Sequence, residues 1–118
     1  MAGIETKKLK YILAVQVISP TTAMTIGKIG FGEGDSTPTP DDTALTRPYI
    51  KNVLSKKVNA DNSITCTYTL DYSEANGKTI REIGLYCNDG VTLVAREVRD
   101  TVVKDSDTAI DGAITILI

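Results

Sequence analysis

The chain has 118 residues, 13 Lys plus Arg against 15 Asp plus Glu for a formal net charge of -2, and neither histidine nor tryptophan. A charge so balanced offers no polyanion surface, which argues against nucleic acid as a partner. Without histidine the chain also lacks the commonest general base and the commonest metal ligand.

A single domain of this length buries roughly 65% of the surface its unfolded chain exposes. Its core must be aliphatic, because Phe31 is the only phenylalanine. The first segment, "KKLKYILAVQVISPTTA", has a basic start, an apolar run and small residues, in the outline of a secretory signal. Gln16 interrupts the run and Glu5 precedes the lysines, so a structural N-terminal element is the reading taken here. Leu9, Ile12, Leu13 and Gln16 stand at helical spacing, while "LAVQVI" also fits a strand. Pro20 ends either one. No stretch reaches the ~20 apolar residues of a membrane helix, so membrane insertion is not expected.

"MTIGKIGFG" reads as a glycine-bearing strand, and residues 32–48 as a long polar surface loop. "YIKNVLSKKV" and "SITCTYTLDY" read as a hairpin turned by "NADN". In its second arm Ile64, Cys66, Tyr68, Leu70 and Tyr72 alternate with polar residues. "IREIGLYC" and "VTLVAREV" flank "NDG", a strong hairpin signal, since glycine takes positive φ without cost. Ile83, Leu85 and Cys87 share one face of its first arm, and Val91, Leu93 and Ala95 one face of its second. The closing "AIDGAITILI" places Ile110, Gly112, Ile114, Ile116 and Ile118 on one side. Together these predict a mainly β (or α+β) antiparallel sandwich of five to six hairpin-linked strands with at most one short N-terminal helix. The expected core is Ile64, Tyr68, Leu70, Ile83, Leu85, Leu93, Ile114 and Ile116. Cys66 and Cys87, on apolar strand faces, are expected to be buried thiols, with one disulfide as the alternative.

The loop "GFGEGDSTPTPDD" invites a test for chemistry. A dinucleotide cradle needs a third glycine opening a helix, but Asp35 or Thr37 stands in that place, and Pro38 and Pro40 forbid the helix. Glu33, Asp35, Asp41 and Asp42 are oxygen donors whose spacing matches no calcium loop. Carboxylate pairs for glycoside hydrolysis can be drawn from Glu33, Asp35, Glu82 and Asp89, without an aromatic platform beside them. The expectation is no catalytic residues, no metal, no cofactor and no enzyme activity.

Two blocks carry a resemblance. "KIGFGEGDSTPTPDDTAL" followed by "IREIGLYCNDGVTLVAREV" resembles the bacteriophage tail-collar fibre family, the N-terminal domains of phage tail fibres. The pattern falls on Gly32, Glu33 and Gly34, on Thr43, Ala44 and Leu45, and on Glu82 to Tyr86, Asp89, Gly90, Leu93 and Ala95. Gly32, Gly34, Glu82, Gly84, Leu85 and Gly90 are the structural motif residues so implied. Glu33 stands where relatives often carry aspartate, and the Gly-rich helical opening common among them is missing.

The resemblance implies a structural part of a phage or prophage virion tail, made in the bacterial host cytoplasm. Its expected partners are tail and baseplate proteins, and it is expected to form a homo-oligomer, a trimer above all. Glu33, Asp35, Pro38, Pro40, Asp41 and Asp42 make the candidate assembly loop. A secreted carbohydrate-binding β-sandwich is the alternative.

Overall fold

The computed structural model describes residues 3–117. After the two-residue strand β1 (Ile4–Glu5) comes one α-helix, α1 (Lys7–Ile18). Then follow β2 (Ile26–Gly32), β3 (Tyr49–Asn52), β4 (Ser55–Val58), β5 (Ile64–Leu70), β6 (Thr79–Cys87), β7 (Leu93–Val103) and β8 (Ile110–Ile116). They form two antiparallel sheets, one of five strands in the order β1-β7-β6-β2-β3 and one of three in the order β4-β5-β8. The mainly β sandwich with one short helix is therefore the fold.

Helical spacing wins over strand propensity at the N-terminus because Leu9 and Ile12, three apart, both bury against the sandwich. Thr6 starts the helix without capping it. Its amide binds the Val94 carbonyl and its hydroxyl donates to the Leu93 carbonyl at 2.6 Å, fastening the helix to β7. Gln16, the polar break in the apolar run, clamps the exit: it donates to the Thr21 carbonyl and accepts from the Thr21 amide.

The strand count rises to eight, partly through β1, and partly because "YIKNVLSKKV" is two strands. β3 pairs with β2 and β4 with β5, so the chain changes sheets at Val53 and Leu54. The expected hairpin around residues 59–62 exists only between β4 and β5, with Asn62 in the left-handed region at φ 68°. The β6–β7 hairpin forms as expected, with Gly90 at φ 70°.

Between the sheets lie Ile29 and Phe31 from β2, Ile83, Leu85 and Cys87 from β6, Cys66, Tyr68 and Leu70 from β5, and Ile110, Ile114 and Ile116 from β8. Phe31 and Tyr68 meet edge to face at 5.4 Å. Four expectations need correction. Ile64 is only half-buried at the sandwich edge, and Tyr72 lies beyond the end of β5, exposed. Leu93 and Ala95 do not share a face. Leu85 pairs with Ala95 but Tyr86 with Leu93, so Val94 is an extra residue on β7, and the bulge turns Leu93 to the outer face. Val91 is exposed in the turn. Ile118 lies outside the described residues. Cys66 and Cys87 are both buried and unbridged, and burial pushes the Cys87 thiol up to about 11.

Candidate functional site

The outer face of the five-stranded sheet, away from the core, is where the two sequence blocks meet. Pairing puts Gly30 beside Gly84 and Gly84 beside Arg96, with Gly32 beside Glu82 in the next row. Neither Gly30 nor Gly84 takes positive φ. Their value is space.

A Cβ on Gly84 would lie 2.8 Å from Leu93 Cδ1 and 3.0 Å from Leu45 Cδ2, and one on Gly30 2.9 Å from both Leu45 and Tyr86. The loop's Leu45 therefore rests on bare backbone, buried among Tyr86, Leu93 and Ile50 in a small second cluster. A side chain at Gly84 would strike the Leu45 and Leu93 side chains rather than a neighbouring backbone.

Glu82 fastens the loop beside that floor. Its side chain is 1% exposed, and Oε2 accepts the Gly34 amide at 2.8 Å and the Thr46 amide at 2.7 Å, one from each end of the loop. Oε1 accepts from Arg96 Nε at 2.6 Å. The buried Arg96 guanidinium then donates from a terminal nitrogen to Asp42 Oδ2 at 3.0 Å. Gly32 and Gly34 lie against the Glu82 carboxylate where any Cβ would collide with it. The Tyr86 hydroxyl accepts the Leu45 amide at 3.2 Å.

Charge-assisted bonds of this kind are the strong ones, and here both partners are desolvated. Burial alone would lower the Arg96 pKa, but the hydrogen bonds it donates to Glu82 and Asp42 hold it raised. The Thr39 backbone amide first, and Arg96 with it, hold the Asp42 carboxyl below its usual range.

Glu33 is a second fastening at the loop's start. It accepts Arg47 Nε at 2.7 Å and the Thr79 amide at 3.0 Å, while its own amide binds the Thr46 carbonyl. Arg47 first and Thr79 second keep its carboxyl below the usual range. Pro40 gives its carbonyl to the Lys7 amide, and Asp41 pairs with the Lys7 side chain, so the loop also touches the start of α1. Asp35 and Pro40 are exposed and Pro38 is half-buried.

The structure thus gathers Gly32, Glu33, Gly34, Asp42, Glu82 and Gly84 into one clasp and leaves Asp35, Pro40 and Asp41 on its rim. Leu85 points to the core and Gly90 sits in the β6–β7 turn, both apart from the clasp. Sequence reasoning passed over Arg96, the centre of the network. Its signal was present: an arginine inside the apolar "TLVAREV", which a hairpin register brings near Glu82.

Chemically the clasp holds backbone in place. Both Glu82 oxygens are engaged, and among the described residues no group of three or more Cys, Asp or Glu could hold a metal ion. Comparison with family models, with curated proteins and with solved structures found no match.

Proposed function

We propose that this chain is a structural part of a phage or prophage tail, a module that attaches a fibre to the baseplate or tail. The carrying observation is the convergence of the two blocks that resemble the tail-collar fibre family. Residues from "GEG", from "TAL" and the threonine after it, and from "EIGLY", 36 to 48 positions apart, build one clasp: Gly34 and Thr46 on Glu82, and Leu45 on Gly84. The clasp fixes the loop from below, so that Asp35, Pro40 and Asp41 are presented outward on ordered backbone. A pre-ordered loop loses little entropy on binding.

A second surface supports assembly. Tyr11, Val17 and Ile18 of α1 are exposed, Val17 and Ile18 at 84% and 85%. Large apolar side chains so placed fit a contact with another chain. The partners in this reading are tail and baseplate proteins, the location is the virion tail, and three copies associate.

The experiment is fractionation of induced lysates from a host carrying the gene, with the chain followed by mass spectrometry. Expected is co-sedimentation with tail particles; a chain found only in the free protein fraction contradicts the reading. Light scattering of the purified chain at high concentration tests the threefold state, and a monomer mass throughout removes it.

A further inference from the structure

The loop between β5 and β6 carries a dipeptide that is reactive in its own right. Asn76 is followed by Gly77, the one Asn-Gly pair in the chain. Glycine has no side chain to shield its amide nitrogen, so this pair cyclises more readily than other asparagine pairs do. The fold cannot dispense with the glycine. Gly77 sits in the left-handed region at φ 88°, inside a turn closed by the Lys78 amide on the Ala75 carbonyl. Asn76 is exposed, so water reaches it.

Both reacting groups are nevertheless held. The Gly77 amide, the nucleophile, donates to the Lys104 carbonyl at 2.9 Å. The Asn76 side chain, the electrophile, accepts from Lys104 Nζ at 2.9 Å through Oδ1 and donates to the Tyr72 carbonyl at 3.0 Å through Nδ2. Lys104 thus grips one group with its backbone and the other with its side chain. It is 0% exposed, its Nζ also donates to the Asp105 carbonyl at 3.1 Å, and its amide donates to the Lys78 carbonyl at 2.9 Å. A buried ammonium with its acceptors in place is costly to move, because they would be left unsatisfied.

The chemistry needs that grip released. Cyclisation forms a bond from the Gly77 nitrogen to Asn76 Cγ and breaks the bond from Cγ to Nδ2. The Gly77 amide proton leaves with the side-chain nitrogen as ammonia. Water then opens the succinimide ring. Breaking the new bond at Cγ gives aspartate; breaking the original peptide bond gives isoaspartate, with the backbone running through the side chain.

We propose that Asn76–Gly77 is a spontaneous deamidation site kept latched by Lys104, so that its rate follows the opening of the loop. Once the reaction has run, aspartate sets a carboxylate against the Lys104 ammonium, whereas isoaspartate lengthens the turn and draws Gly77 off the Lys104 carbonyl. The site is independent of the tail reading and would stand without it.

The test is to age the full chain in warm, mildly alkaline buffer and follow each asparagine by peptide mass spectrometry, with and without denaturant. In denaturant Asn76 should convert ahead of Asn52, Asn59, Asn62 and Asn88, which precede bulkier residues. In the folded chain its conversion should be slower by at least about tenfold, and the ratio of the two rates should equal the open fraction of the Gly77 amide measured by hydrogen exchange. Lys104→Met keeps an apolar stem and removes Nζ, and should quicken conversion in the folded chain. Conversion as fast in the folded chain as in denaturant overturns the proposal, as does an unchanged rate in folded Lys104→Met. If Lys104→Met does not fold, the exchange comparison decides: a ratio that departs from the Gly77 open fraction removes the latch.

Discussion

Arg96 and Glu97 are adjacent on one strand, both nearly buried, and they face opposite sides of one sheet. Arg96 looks outward under a loop that covers it and meets two carboxylates at 2.6 and 3.0 Å. Glu97 looks inward beside a cavity it lines with Tyr68, Ile83, Val98, Arg99 and Asp100, and among the described residues its Oε2 meets no hydrogen-bonding group. Burial is the same; partnership differs. A buried charge with full partners locks a fold, because removing one partner strands the other, whereas a buried charge without partners weakens the fold and calls for another explanation.

Breaking the outer network gives the largest effect. Glu82→Ala or Arg96→Ala leaves a buried opposite charge uncompensated and should cost about 3–5 kcal/mol. Denaturant unfolding measures it. A loss under about 1 kcal/mol would place Arg96 and Glu82 among solvent-screened pairs, against their burial.

The core that both faces share should respond next. Leu85→Ala and Ile114→Ala, each at 0% exposure, should cost ~2–5 kcal/mol by the same measurement. No change in melting temperature for either would mean the strand faces are wrongly assigned.

Gly84→Val sharpens the outer side of the comparison, because it touches the floor and leaves the charges in place. It should cost about 1–3 kcal/mol as overpacking and displace Leu45. Thermolysin cleavage of the Ala44–Leu45 bond should then quicken. An equally stable, equally resistant variant would deny the glycine floor its role.

The smallest effect has the opposite sign. Glu97→Gln should stabilise the chain at neutral pH, by about 1 kcal/mol, the low end of the cost of an unsatisfied buried polar group. The folded Glu97 carboxyl titrates above its unfolded value. Its cost is therefore absent below about pH 4, where both states are protonated, and grows as pH rises through the folded value. The gain from Glu97→Gln should follow that rise. Glu33 and Asp42 run the other way: their folded values are depressed, so the stability they give is lost as pH falls through the acid range. A Glu97→Gln gain that is constant with pH would show that ionisation plays no part in it.

The sandwich was legible in the sequence because period two is a local signal. Cys66, Tyr68 and Leu70 alternate with threonines and need no knowledge of a partner strand. What was hidden depends on register. The sheet change at Val53 and Leu54 leaves no mark, since both halves of the segment look alike. The Val94 bulge moved Leu93 to the outer face with one inserted residue. Glu82, Gly32 and Gly34 were identified as motif residues, but their purpose depends on Arg96 and on loop amides that only the folded chain brings within 3 Å. The loop between them was long and polar, which reads as loose. Its buried Leu45 and its bonds to Glu82 make it an ordered part of the sheet.

That claim meets its most direct test in amide hydrogen exchange. Gly34 and Thr46 donate to Glu82 from opposite ends of the loop. Both amides should exchange as slowly as the strand amides of β6, and both should become fast together in Glu82→Gln. Exchange in the native chain at the rate of an open loop would contradict the clasp.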